Sequence, residues 1–283
     1  MSLAALILLV VKASIFLTVF ALGLEATVED ALYVLRRPAM LVRSLLAMNV
    51  IMPIVAVALA LAFNFTPAVE IALLALALSP VPPLLPKKEF RAGAHSSYTI
   101  GLLVAITLLA IAIVPVTVQL IGRIIGRAAY LGPAAVAQLV FVSALLPLAA
   151  GIAVGRLAPQ LAGKVANPLA LVAAILLATG VLPILFTARS EIISLIGNGT
   201  IVAIVTFTVI ALAVGHLLGG PDPDDRTVLA LSVASRHPGI ALAIANASFP
   251  GNKQVLGAVL LYLIVSAIAS MPYMTWRKRI HAA

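Results

Sequence analysis

Arg236-His237-Pro238-Gly239 stands in the middle of an apolar run over residues 227–249, with Leu229, Leu231 and Val233 before it and Ile240, Leu242 and Ile244 after it. A proline inside a helix removes a backbone donor and clashes with the preceding turn. A guanidinium at such depth in a bilayer is costly and marks function by default. The run therefore reads as a membrane helix broken near its middle around a charge. A second run, 67–90, carries Ser79-Pro80-Val81-Pro82-Pro83 and then Pro86. Three prolines within four residues break a helix. Unwound backbone inside a bilayer is kept only where protein or a water-filled cavity satisfies it. The N-termini of the resulting half-helices offer free N–H groups and partial positive charge, a setting that suits an anion.

Seven further runs flank these two, at 3–24, 39–63, 95–122, 133–155, 167–187, 192–218 and 254–275. Each has about the 20 apolar residues that a membrane helix needs. The reading is an all-α integral membrane protein of about nine transmembrane helices. The composition agrees: 63% of the 283 residues are hydrophobic and 10% charged, against roughly 25% charged in soluble domains. Disorder is excluded by the same apolar mass, and a transmembrane β-barrel by the continuous rather than alternating runs. With no cysteine there is no disulfide scaffold or thiolate metal site. The first run lacks a basic start and a small-residue cleavage site, so it reads as a span rather than a signal peptide. The net charge of +9 belongs to short loops, and no nucleic-acid partner is expected. Counted by side, eleven loop Lys and Arg fall on one face and four on the other. That puts the N-terminus outside and the C-terminus in the cytoplasm of a cell membrane.

Divided after the fourth span, the halves each carry a break in the next-to-last span. Matching interruptions in corresponding positions point to inverted repeats with the site between them. No acidic residue lies mid-span: Glu25 and Glu70 are near span ends and the other acids are in or beside loops, which leaves Arg236 without a carboxylate partner. Backbone carbonyls and a bound anion would neutralise it. Lys87 and Lys88 follow the first break by one to two turns and read either as cavity cations or as interface anchors. His237 reads as a hydrogen-bond donor, a proton carrier or a packed neutral ring. Lys12 is long enough to snorkel, and His95 and His216 lie near span ends. No cluster has metal-ligand spacing, and no P-loop, GxSxG or HExxH occurs. An enzyme or an ATP-driven pump is not expected, and no cofactor is.

In order along the chain, Phe20-Ala21-Leu22-Gly23-Leu24, Val28-Glu29-Asp30, Arg36-Arg37-Pro38, Met48-Asn49-Val50-Ile51-Met52-Pro53, Ser79-Pro80 and the stretch Ser232–Ile244 resemble the motifs of the bile acid:sodium symporter family. The resemblance covers nearly the whole chain. It implies a core domain of crossed discontinuous helices, here 67–122 and 192–275. It also implies a smaller panel domain, here part of 1–63 together with 133–187, all within a single transporter domain over 1–283. It implies movement of organic anions, usually with sodium. By a one-gap alignment the family's sodium-binding Glu falls at Ser232, its Gln at Arg236, and the following Asn and Ser at His237 and Pro238. The ligand Gln of the earlier span falls at Asn49, and the Ser and Thr of the next helix fall near Tyr98 and Leu102. With the carboxylate replaced and a guanidinium nearby, no metal site is expected and sodium is doubtful as a partner.

The expected protein is a secondary transporter of a small organic or inorganic anion, working by alternating access in a lipid bilayer, with fixed cations in place of sodium. Its expected substrate-binding residues are Asn49, Ser79, Pro80, Pro82, Lys87, Lys88, Ser232, Arg236, His237, Pro238 and Gly239. The alternative is a sodium-coupled organic anion symporter with a remodelled site; a non-transporting membrane sensor ranks below both.

Overall fold

The computed structural model describes residues 3–90, 92, 95–125, 132–197, 199–248 and 253–282. The described residues are helical throughout, with short connections. In chain order they form α1 (Leu3–Glu25), α2 (Val28–Leu32), α3 (Pro38–Ala62), α4 (Pro67–Leu78), α5 (Leu85–Phe90), α6 (Ser96–Ile125), α7 (Pro133–Leu157), α8 (Pro159–Thr187), α9 (Arg189–Ser194), α10 (Thr200–Leu218), α11 (Pro223–Ala234), α12 (Pro238–Ser248) and α13 (Lys253–Ala282). Six of these begin on proline at the first turn, where the missing N–H costs nothing. The side chain of Asp222 caps α11 by accepting from the amides of Asp224 and Asp225.

Eight segments among the described residues are long and apolar enough to cross a membrane, the pair α11–α12 counting as one. The ninth expected span is the broken one. Its apolar half, α4, has only 12 residues before the chain leaves the helix at Ser79. Two other expectations shift at their edges: α8 starts at Pro159 rather than 167, and the run from 192 is divided into α9 and α10 by Gly197 and Gly199, both at positive φ.

Burial separates two regions. From Ile71 through Leu78 every α4 side chain is buried, as is every α11 side chain from Thr227 through Ala234. A helix that is apolar all round belongs inside protein rather than against lipid, and these two broken helices form the centre of the main core. Around them pack α3, α6, α10, α12 and α13. The other region is α1 against α7 and α8. There the backbones touch through small residues. A Cβ on Gly151 would stand 2.3 Å from the Phe20 carbonyl oxygen, and one on Gly155 would stand 2.6 Å from that of Leu24. Such close approach is how membrane helices associate without a hydrophobic drive between them.

Candidate functional site at the helix crossing

The two breaks meet. Ser79 is extended (φ −78°, ψ 147°), as the residue before a proline prefers, and the chain re-enters a helix only at Leu85. Ser235 is likewise extended, and α12 starts at Pro238. The His237 amide donates to the Pro80 carbonyl at 3.0 Å and to Ser79 Oγ at 3.0 Å. Ser79 Oγ in turn donates to the Leu76 carbonyl at 2.8 Å. On the far side of the second break, Tyr262 of α13 donates its hydroxyl to the Ala234 carbonyl at 3.1 Å, closing the end of α11.

Among the described residues Arg236 is the largest fully buried side chain, 2% exposed. Its Nη1 donates to the Ser79 carbonyl at 3.2 Å and to the Met48 carbonyl at 3.5 Å. The first of these stands at the C-terminal end of α4, where a cation is favoured. The second is available for a local reason. Residues Leu46–Ile51 form a π-helical turn, and Met52 bonds back to Ala47. The next amide in line belongs to Pro53, which has no N–H, so the carbonyls it would have served are left over. Nε and Nη2 of Arg236 are buried and have no hydrogen-bond partner.

His237 has a defined tautomer. Its Nδ1 accepts from the Ile240 amide at 3.3 Å, so the ring proton belongs to Nε2, which is buried without a partner. The ring folds back over Gly239. A Cβ there would lie 3.2 Å from His237 Cε1, and glycine leaves the ring that room. Asn49, beside the free carbonyl of α3, has its Oδ1 buried without a partner. The crossing thus gathers three unpaired donor nitrogens and one fixed positive charge.

Ser232 lies near the C-terminal end of α11, and its hydroxyl donates to Glu89 Oε1 at 2.6 Å. Glu89 is 1% exposed. A carboxylate thus stands against Ser232, while the hydrogen-bond partners of the Arg236 guanidinium are the Met48 and Ser79 carbonyls. Lys87-Lys88-Glu89 reads in sequence as a charged interface at the end of a run, and that reading hides the glutamate. The available signal is the restart of the helix at Leu85: Leu85 and Glu89 are four apart and share one face, and Leu85 is 3% exposed.

Six of the expected residues are thereby brought together, namely Ser79, Pro80, Arg236, His237, Pro238 and Gly239, and Asn49 follows Met48, whose carbonyl accepts from Arg236. Ser232 stands on α11 just before the second break and bonds to Glu89. Pro82 lies within the first break, half-buried. The side chains of Lys87 and Lys88 lie outside the described ones. Tyr98 and Leu102 are fully buried, and the Tyr98 hydroxyl pairs with Ser44 Oγ at 3.0 Å. Lys12 is exposed on the outer surface of α1.

A second polar group stands where helices begin. His95 Nδ1 pairs with Asp225 Oδ1 at 3.0 Å, and the Tyr33 hydroxyl lies 3.5 Å from the same nitrogen. Asp30 accepts from Ser97 and from the Thr27 hydroxyl and amide. Burial raises the Asp30 carboxyl, but the hydrogen bonds from Ser97 and Thr27 outweigh it and hold the group below the usual carboxylate range. Arg277 is buried against Thr227 Oγ1 at 2.6 Å and the Pro223 carbonyl at 2.8 Å. These contacts fix the starts of α6 and α11 relative to α2 and α13.

A polytopic helical protein with two broken helices crossing at a buried polar site belongs to the class of membrane transporters rather than enzymes. Residues 13–215 match the sodium bile acid symporter family, and the chain belongs to that family. The match runs through the first break and ends before the second. No curated protein matches the chain.

Proposed function

We propose that the protein is a secondary transporter of a small organic or inorganic anion and that Arg236 supplies the positive charge that sodium supplies elsewhere in the family. The observation that carries this is the buried guanidinium at the crossing with Nε and Nη2 unpaired. The neighbouring His237 Nε2–H adds a third donor of the same sign. Two unit charges 4 Å apart attract by about 4 kcal/mol at an effective dielectric of 20, enough for the guanidinium to do the electrostatic work of a bound cation. A second cation beside it would be repelled by the guanidinium. The Met48 and Ser79 carbonyls, the oxygens such an ion would seek, already accept from Arg236.

In this reading α1, α7 and α8 form the panel, and α4–α6 and α10–α13 form the core that moves against it. The packing of α3 on α4 and α10 supports its moving with the core. The anion is presented to alternate sides at the crossing of the breaks. The chain works in a cell membrane with its C-terminus in the cytoplasm, so a reporter fused after Ala283 reads cytoplasmic. The direct test is uptake of labelled anions into proteoliposomes. Arg236→Ala inserts in the membrane and abolishes uptake, and the wild type is unaffected when choline replaces sodium at fixed pH. Steep sodium dependence of the wild type, with Arg236→Ala still active, refutes the proposal.

A further inference from the structure

We infer that Arg43 and Arg226 form a headgroup site for an anionic phospholipid at the membrane face where α3 begins and α10 ends. The site is built around Gly220, in the turn between α10 and α11. Gly220 has φ +99°, a region that glycine adopts without strain. A Cβ there would stand 3.1 Å from Arg43 Nη1, and the Gly220 carbonyl accepts from Arg226 Nε at 2.7 Å. Two guanidinium groups thus flank one glycine. Arg43 is exposed and Arg226 half-buried.

The carboxylates of the same turn are committed elsewhere. Asp222 Oδ1 accepts from the amides of Asp224 and Asp225. Asp224 lies 3.6 Å from Arg277 Nη2, and Asp225 pairs with His95 at 3.0 Å. Among the described residues neither Arg43 nor Arg226 is in an ion pair. Neighbouring like charges repel. A phosphate held by both removes the repulsion, and its oxygens match the fork of a guanidinium.

The surroundings are those of a lipid phosphate. His216 stands at the end of α10 with its Nδ1 2.9 Å from the Tyr273 hydroxyl, which also donates to the Arg226 carbonyl at 3.5 Å. Trp276 is 46% exposed and packs on both rings, with centroids 5.5 and 5.6 Å away. Tyrosine and tryptophan settle at the headgroup level of a bilayer, one edge apolar and the other wet. Toward the middle of the membrane α3 exposes Leu46, Val50 and Ile54, and α10 exposes Val205 and Val209. Those two helices pack on each other, and their outer faces offer apolar surface to acyl chains. In the orientation proposed above this is the cytoplasmic leaflet, whose anionic lipids attract basic groups. The inference does not depend on what is transported.

Trp276 is the single tryptophan of the chain, so its fluorescence reports on this face alone. In phosphatidylcholine nanodiscs, a small fraction of phosphatidylglycerol carrying a nitroxide near the top of its acyl chain quenches Trp276 more strongly than the same fraction of nitroxide-labelled phosphatidylcholine. Each guanidinium contributes about fivefold to the relative association constant. Arg43→Gln, which removes an exposed side chain and leaves the melting temperature unchanged, lowers the preference by that factor. Adding Arg226→Gln abolishes it, and native mass spectrometry then finds no retained phosphatidylglycerol where the wild type keeps one per chain. Neutralising Lys278 and Arg279, which are nearer to Trp276 in sequence, changes the preference by about twofold or less. Equal quenching by the two lipids in the wild type overturns the site. So does a preference lost as fully on neutralising Lys278 and Arg279 as on Arg43→Gln, because the attraction is then spread over the whole basic face. Millimolar inorganic phosphate leaves the lipid preference in place; its loss under phosphate shows a site for the soluble ion and overturns the lipid assignment.

Discussion

Between Leu78 and Leu85 the chain has one serine and three prolines; between Ala234 and Pro238 it has serine, arginine and histidine. Proline nitrogens cannot donate, so the first break presents acceptors: the Ser79 and Pro80 carbonyls and the Ser79 hydroxyl oxygen. The second presents donors, namely the His237 amide, the guanidinium and the imidazole N–H. The two interrupted segments occupy corresponding places in the halves, yet their chemistry is complementary rather than alike. Donors of the second break satisfy acceptors of the first, and Arg236 and His237 have three left over. That surplus gives the crossing its sign.

The comparison breaks most visibly at Arg236. Arg236→Met keeps the volume and removes the charge. Transport falls by about a hundredfold or more, because the lost attraction of about 4 kcal/mol exceeds two decades. Thermal stability is unchanged or rises by about 1–4 kcal/mol, the usual result of replacing a buried ion by a packed apolar chain. A large drop in melting temperature with transport intact would show a structural clamp instead. Next in size is Ser79→Ala. The His237 amide keeps the Pro80 carbonyl when the serine hydroxyl is gone, so the loss in a denaturation midpoint is that of one shared hydrogen bond, about 1 kcal/mol. Gly239→Ala is the smallest. Its Cβ at 3.2 Å from the imidazole shifts the ring by a few tenths of an ångström, and KM for the anion changes about twofold, or roughly 0.4 kcal/mol. An effect there as large as that of Arg236→Met would make His237 rather than Arg236 the main anion contact.

Much of this was legible in the sequence because membrane helices announce themselves by length and apolarity, and prolines at depth by their missing donors. Arg236, His237 and the Ser79-Pro80 turn are chemical anomalies in apolar surroundings, and such anomalies can be read one residue at a time. Glu89 was not legible, since beside Lys87 and Lys88 it resembles an ordinary interface charge. Its burial depends on how far the chain travels through the first break before α5 restarts. The grouping of α3 with α4 and α10 was hidden for a similar reason: a uniformly apolar helix does not declare which neighbour it prefers. The free Met48 carbonyl has only Pro53 as a clue, and the π turn that accompanies it has no side-chain signature.

That π turn is what a single inserted codon makes of an α-helix. One residue added within Leu46–Ile51 rotates everything beyond it by about 100° while the helix stays continuous. Deleting one residue there would restore regular helix and leave most of α3 in the membrane. It would also turn the Met48 carbonyl away from Arg236. The position of the guanidinium is therefore encoded partly in chain length, and a scan of one-residue deletions across 46–51 would find it where alanine substitution does not.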